Sequence, residues 1–259
     1  MKRYLSVFGL AARSSFWKGL AVMVAAAAVA GLLLYCTRGG DTITYIDGNG
    51  MEQSYEDEYS LSELPEKSWM AAPLLLGLGG SCYVLAMCGG GKGAKPGYTM
   101  GRLQVRERTA CLLWVLYDFM MLLLYWALAA LTAFLVMSLR VRNLSDRSYI
   151  GPLSLIFSFY DSGLLHNLLP VGDVLAWIGN AVALLTCAVG CVDVAEKQWR
   201  GKLGGISLGI AVVLTAAGFS MNLRNTGTHL IFLVLQVFVL AITLSGWKGG
   251  YGDEDALDL

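Results

Sequence analysis

Long runs of hydrophobic residues alternate with short polar segments along most of this 259-residue chain. Six of the runs have about 18 residues or more, which is the length a helix needs to cross the hydrocarbon layer of a membrane. These runs cover residues 19–35, 69–88, 111–138, 171–194, 203–221 and 230–247. The pattern predicts an all-α membrane protein with six transmembrane helices in a single transmembrane domain. At 28 residues the third helix would be roughly 42 Å long, so it must tilt or project beyond the bilayer.

Residues 1–18 precede the first run and have the pattern of an amphipathic helix. At 100° per residue, one face collects the basic and polar residues Lys2, Arg3, Ser6 and Arg13. The opposite face is apolar and carries Tyr4, Leu5, Phe8, Ala11, Ala12 and Phe16. Such a helix is expected to lie in the membrane interface, although a basic flank of the first span fits the residues equally well. A signal peptide is the competing interpretation of residues 1–35, but 18 residues are long for its charged region, so we expect the helix to be retained.

Residues 37–68 form a polar, strongly acidic segment that holds eight carboxylates. Within it, TITYIDGNGMEQSY places β-branched and aromatic residues on both sides of Asp47-Gly48-Asn49-Gly50. This arrangement predicts a small β-hairpin in an otherwise solvated loop. The spacing of oxygen ligands that an EF-hand requires is missing, so the loop is not predicted to bind calcium in that way.

The segment 151–169 is apolar but contains Pro152, Asp161, Gly163, His166 and Asn167. If it does not cross, thirteen of the nineteen Lys and Arg residues lie on one side, together with both termini and the loop 89–110. The positive-inside rule then makes that side cytoplasmic and residues 37–68 extracytoplasmic. A crossing would move the basic cluster at 197–202 outside. We therefore expect a re-entrant or interfacial segment in a multi-pass cell-membrane protein.

Composition and motifs narrow the class of function. The chain is 56% hydrophobic and 15% charged, has no net charge and lacks a basic tail, so a nucleic-acid partner is not expected. Six cysteines show no zinc-like pairing. Gly89-Gly90-Gly91-Lys92 is followed by Gly93 where a phosphate loop needs Ser or Thr, and His166 near Asp161 has no accompanying nucleophile. No enzyme activity and no cofactor are predicted for this chain.

Gly205 to Gly209 match the GxSxG pattern of serine hydrolases, which requires a strand, a sharp turn and a helix. Here the pattern falls within a predicted membrane helix, so we interpret Gly205 and Gly209 as helix-packing positions. Two polar residues also lie within predicted spans. A carboxylate such as Asp118 is costly there and marks either a functional site or a hydrogen-bonded packing residue. For Asn180 we expect a hydrogen bond between helices.

Two stretches resemble a known family. YTMGRLQVRERTACLLWVLYDFMMLLLYWAL and HNLLPVGDVLAWIGNAVALL are similar to the loop and spans of small permease-like proteins from Gram-positive anaerobes. The wider arrangement resembles the membrane subunit of ATP-binding-cassette exporters of the type-2 fold. It departs from that family in its acidic loop, in re-entrant pieces that precede the fourth span instead of the sixth, and in Asp118, where an uncharged polar residue is expected.

The resemblance implies that Thr99 to Arg108 form a cytoplasmic coupling helix that docks on a separate ATPase subunit. The residues implied in this contact are Arg102, Leu103, Val105, Arg106, Glu107 and Arg108. It also implies a second permease subunit and transport by alternating access, with ATP bound by the partner. The alternative is an accessory or sensor membrane protein whose acidic outer loop binds a partner.

Overall fold

The computed structural model describes residues 2–37, 40–46, 52–58, 60–87, 107–144, 152–199, 204–221 and 226–251. Within these ranges the chain is mainly helical, with one pair of strands. In chain order the elements are α1 (Lys2–Cys36), β1 (Gly40–Ile46), β2 (Glu52–Glu58), α2 (Leu64–Lys67), α3 (Ala71–Ala86), α4 (Glu107–Leu144), α5 (Pro152–Asp161), α6 (Gly163–Leu168), α7 (Val174–Trp199), α8 (Ile206–Ser220) and α9 (Thr226–Tyr251).

Four helices, α1, α4, α7 and α9, are long and apolar enough to cross a membrane. The sequence prediction of a helical membrane protein is confirmed at this level. The other two predicted spans correspond to shorter apolar helices, because α3 has 16 residues and α8 has 15. At 1.5 Å per residue they are about 24 and 22 Å long.

Helix α1 is continuous from Lys2 to Cys36, so the prediction of a separate interfacial helix over residues 1–18 is wrong. Its buried positions recur at every fourth residue across the expected boundary, as Val7, Ala11, Ser15, Gly19 and Met23. This face packs on protein. The ring of Phe8 meets the ring of Tyr117 edge to face at 5.4 Å, and the hydroxyl groups of Ser15 and Tyr117 are 2.9 Å apart.

Helices α1, α3 and α4 alternate in direction. Helices α1 and α4 are parallel, since Gly19 lies against Met121 and Gly31 lies against Thr132. Helix α3 is antiparallel to α1, because Gly77 faces Ala26 while Gly80 faces Val22. The C-terminus of α1 is capped by Arg140 of α4, whose Nη2 donates to the carbonyls of Leu34, at 3.1 Å, Tyr35, at 2.8 Å, and Thr37. A cation at this end also complements the helix dipole.

Helix α7 lies at the centre of the bundle and packs against α3, α4, α8 and α9. Every residue from 186 to 196 is buried, as expected for a helix surrounded by other helices. It is parallel to α3, since the Sγ of Cys191 is 3.4 Å from the carbonyl oxygen of Cys82 while Gln198, further along α7, contacts Met87 just after α3. Helix α8 is antiparallel to α7, because Ser207 contacts Asp193 whereas Thr215 contacts Cys187. Helix α9 is antiparallel to α8, because Gln236 contacts Thr215 whereas Phe232 faces Gly218.

Strands β1 and β2 pair antiparallel within the segment 37–68, where the sequence predicts a hairpin. The register runs from Gly40 opposite Glu58 to Ile46 opposite Glu52. Asp41 and Asp57 therefore occupy directly opposed positions. The turn predicted at Asp47 to Gly50 lies outside the described residues.

The predicted coupling helix cannot be followed over most of its length. Arg102, Leu103, Val105 and Arg106 lie outside the described residues. Glu107 and Arg108 belong to α4, the helix that contains the third apolar run. The docking role implied for these six residues stays a prediction.

Candidate functional site: a polar pocket between α6, α7, α8 and α9

The broken segment between α4 and α7 folds as two short helices, neither of which is long enough to cross a membrane. Helix α5 has 10 residues and α6 has 6, or about 15 and 9 Å. Helix α6 is inserted into the bundle, where Leu165, Asn167 and Leu168 are buried. Irregular backbone at membrane depth is tolerated only where its polar groups are satisfied by protein or water.

Three side-chain donors bind carbonyls at the end of α6 and just after it. The Nδ2 of Asn180 donates to the carbonyl of Asn167 at 2.7 Å. The indole of Trp126 donates to Leu168 at 2.7 Å, and the indole of Trp177 donates to Pro170 at 2.6 Å. The interhelical hydrogen bond predicted for Asn180 is thus present, and it helps to hold the non-helical backbone within the bundle.

The side chain of Asn167 joins α6 to the end of α8. Its Nδ2 faces three main-chain carbonyls, those of Gly218 at 3.1 Å, Phe219 at 3.3 Å and Met221 at 2.6 Å. The amide nitrogen must point this way, because the oxygen would otherwise meet three acceptors. The Oδ1 of Asn167 is consequently directed elsewhere, and it is buried without a hydrogen-bond partner.

Gln236 on α9 shows the same arrangement. Its Nε2 donates to the Oγ1 of Thr215 at 3.1 Å. The hydroxyl proton of Thr215 is already used, since Oγ1 donates to the carbonyl of Ala211 at 2.8 Å. Because the Thr215 oxygen can then only accept, the Gln236 amide must point its nitrogen toward it. The Gln236 residue is 3% exposed. Its Oε1 is buried with no hydrogen-bond partner.

Both amides line one pocket, of about 420 Å³ including its open mouth. The other polar residues of the lining are Asn180, Thr215 and His229, and the lining contains no Lys or Arg. The apolar part of the wall includes Ala176, Ala183, Leu214, Phe232 and Leu233. Two residues with unpartnered acceptor oxygens and a hydrophobic wall therefore line the same pocket, as in many ligand sites between helices.

Asp173 stands beside this pocket, at the N-terminus of α7. Its Oδ1 accepts a hydrogen bond from the main-chain N–H of Ala176 at 3.1 Å, which caps the helix. Its Oδ2 is 4.0 Å from the Nε2 of His229. Because the side chain of Asp173 is 35% exposed, its negative charge is reachable from outside the bundle.

A second, apolar pocket of about 510 Å³ lies between α3, α4 and the α6 segment. Its lining includes Leu78, Tyr125, Trp126 and Leu168, and it shares Phe219 with the polar pocket. Asp118 lines neither pocket. That residue is 4% exposed on the inner side of α4 and lies within electrostatic range of the Cys82 thiol of α3.

The glycines of the GxSxG pattern do not have the predicted packing role. Gly205 is the N-cap of α8 with φ of 137°, so the helix begins after it. No atom lies within 4 Å of the place where a Cβ at Gly209 would stand. Packing at Gly209 is therefore not observed among the residues that the structure describes. Close approach occurs instead at Gly190, where an added Cβ would be 3.1 Å from the Cα of Leu208.

Sequence reasoning missed a buried carboxylate at the other end of α7. Asp193 is 2% exposed and accepts hydrogen bonds from Lys197 at 2.7 Å and from the Ser207 hydroxyl at 3.1 Å. The spacing of Asp193 and Lys197, four residues apart near the end of an apolar run, was the available signal. Gln236 was missed too, although a glutamine within the run 230–247 is costly in lipid and must face the interior.

Among the described residues, no group of three His, Cys, Asp or Glu is placed to hold a metal ion. His166 is buried in α6, and its ring meets that of Tyr160 edge to face at 5.9 Å.

No protein-family model, no curated protein and no solved structure matches this chain.

Proposed function

We propose that this chain is the membrane-spanning permease subunit of an ATP-driven exporter and that a separate chain hydrolyses ATP. The polar pocket between α6, α7, α8 and α9 carries this proposal. Buried polar residues within membrane helices are costly and commonly mark substrate paths. Here two buried amide oxygens, those of Asn167 and Gln236, lack partners in a pocket inside the bundle.

The proposal includes six crossings. Helices α3 and α8 are short, but each lies antiparallel beside a long membrane helix: α3 beside α1, and α8 beside α7. Six crossings of alternating direction return the chain to the side where it began. The distribution of Lys and Arg favours the cytoplasm for both termini.

ATP binding and hydrolysis in the partner would move the loop that precedes α4. Arg102, Leu103, Val105 and Arg106 supply a small apolar contact and oriented positive charge for an ATPase partner. Helix α4 follows directly and extends for 38 residues, or about 57 Å, so it is long enough to carry a movement of this loop through the membrane. Helix α4 packs on both α1 and α7, so its movement would reach both helices. Transport by alternating access also needs a second permease subunit, of like or unlike sequence.

The test is affinity purification of the tagged chain from its native membrane, with detection of a co-purifying ATPase. The variant Arg102→Gln/Arg106→Gln removes two charges from the loop. The control Arg13→Gln/Lys18→Gln removes two exposed charges from the same proposed side on α1. We expect wild type and control to retain the ATPase and the loop variant to lose it. An absence of ATPase activity in all three purifications would overturn the proposal.

One observation favours a second candidate, an accessory protein whose acidic loop binds a cationic partner. The register of β1 and β2 places Asp41 directly opposite Asp57. Like charges at opposed positions destabilise a hairpin, and a bound cation or basic peptide would relieve that cost. Retention of a basic protein that depends on Asp41 and Asp57, with no ATPase in the same sample, would favour this function.

A further inference from the structure

We infer that the polar pocket between α6, α7, α8 and α9 binds a primary ammonium group on a small alkyl ligand. The inference deepens the proposed function and rests on it for treating the ligand as transported cargo. It starts from the two buried amides. Because the nitrogens of Asn167 and Gln236 are held by protein acceptors, the amide atoms left without partners are both carbonyl oxygens. A ligand that satisfies them must donate hydrogen bonds.

The number of donors and the sign of the charge favour an ammonium over a hydroxyl. A hydroxyl group has one proton to donate, whereas a primary ammonium has three. The carboxylate of Asp173 adds a negative charge near His229, and the pocket lining contributes no Lys or Arg. The Nε2 of His229 is a further buried atom of the lining without a hydrogen-bond partner, and it lies 4.0 Å from the Asp173 carboxylate. An anionic ligand would meet the two amide oxygens and this carboxylate, which both disfavour it.

The hydrophobic part of the wall accounts for the alkyl portion. Leu214, Phe232 and Leu233 line the same pocket as the two amides. A short alkyl chain would bury its surface against them, at roughly 25 cal/mol per Å². A water molecule, which is the alternative occupant of a polar cavity, would satisfy the oxygens but leave this apolar wall uncovered.

Calorimetric titration of the full chain in lipid nanodiscs tests the inference with n-hexylammonium as the probe. Hexyltrimethylammonium is the matched probe, because it has the same charge and chain but no N–H donor. We expect saturable binding of n-hexylammonium and none of hexyltrimethylammonium. Equal binding of the two, or no saturable binding of either, would overturn the inference.

Two variants locate the site. Gln236→Met keeps the length of the side chain and removes the acceptor, so n-hexylammonium should bind roughly tenfold more weakly or worse. Thr243→Val is its control, since Thr243 is buried on α9 seven residues further on and bonds only within its own helix, to the carbonyl of Val239. It should bind as the wild type does. Unchanged binding by Gln236→Met would contradict the site.

Asp173→Asn provides a variant that preserves the fold, because asparagine also caps helices well. It removes the negative charge, so we expect n-hexylammonium to bind more weakly. The titration heats for neutral n-hexanol should be the same as with the wild type. Wild-type affinity for the ammonium in this variant would contradict the role of the charge. The outcomes also separate the two proposals. Ammonium binding without a co-purifying ATPase would support the binding site and contradict the exporter function. A co-purifying ATPase without ammonium binding would support the exporter function and contradict the binding site.

Discussion

The side-chain amide of Asn180 donates to the main-chain carbonyl of Asn167 at 2.7 Å, which joins the central helix α7 to the end of α6. The amide of Asn167 in turn donates to three carbonyls at the end of α8. Two asparagines therefore connect three segments around the polar pocket. Because each bond ends on a main-chain carbonyl, losing either amide leaves its acceptors without that donor.

Replacement of Asn180 by leucine tests this connection. Asn180→Leu should lower the free energy of unfolding by about 1–2 kcal/mol, since it removes the donor and leaves the Asn167 carbonyl unpaired. Unfolding by SDS in mixed micelles measures the loss. Thr132→Val is the control, because the Thr132 hydroxyl bonds only to Leu128 of its own helix and valine retains both branches of the side chain. Equal effects of the two changes would remove the special role of Asn180.

Two glycines of α3, two residues apart, offer a matched comparison. A Cβ added at Gly77 would stand 2.3 Å from the Cβ of Ala26 and 2.6 Å from the Tyr125 hydroxyl, whereas one added at Gly79 meets no atom within 4 Å. Gly77→Ala should therefore destabilise the chain by about 1–3 kcal/mol through overpacking. Gly79→Ala should be neutral or stabilise it by up to about 1 kcal/mol through helix propensity.

The same SDS titration measures both glycine variants. The double variant Gly77→Ala/Ala26→Gly restores part of the space and should recover part of the loss, because the two positions are in direct contact. A Gly77→Ala protein as stable as the wild type would show that α1 and α3 are not packed as closely as described.

The sequence was informative where a run of residues carries one signal. Hydrophobic length identified the helices, and the polar interruptions from Pro152 to Asn167 marked the segment that does not form one long helix. It failed where a face has two physical interpretations. The apolar side of residues 1–18 suits the lipid interface and another helix equally, and only the position of Tyr117 in the fold decides between them.

Pairing across the bundle was also beyond sequence reasoning. Nothing in the run 230–247 shows that Gln236 will meet Thr215, because the helical period gives a face but not its neighbour. The same holds at Gly209, where small size suggested a contact that the geometry of α8 does not make. Asn180 was predicted correctly because any asparagine in an apolar span must find a partner.

The hydroxyl of Ser207 should contribute to the junction between α7 and α8. It donates to the carboxylate of Asp193, which is 2% exposed, at 3.1 Å. Ser207→Ala removes a hydrogen bond to a buried charged group and should cost about 1–2 kcal/mol of unfolding free energy. Ser220→Ala, at the exposed end of the same helix, should change it by less than about 0.5 kcal/mol. Equal midpoints of unfolding in SDS for the two variants would show that the hydrogen bond from Lys197 is enough to stabilise the buried Asp193 carboxylate.

The orientation of the chain can be read at Cys36, the last residue of α1, which is exposed. Four other cysteines, at 82, 111, 187 and 191, are buried. The sixth cysteine, Cys88, lies outside the described residues and is replaced by serine for this experiment. A membrane-impermeant maleimide added to intact cells should then label Cys36, because the proposed topology places the end of α1 outside. Permeabilising the cells should add no further label, and Cys36→Ser should abolish it. Labelling that appears only after permeabilisation would reverse the orientation, put the loop before α4 outside the cell, and thereby remove the site at which a cytoplasmic ATPase could dock.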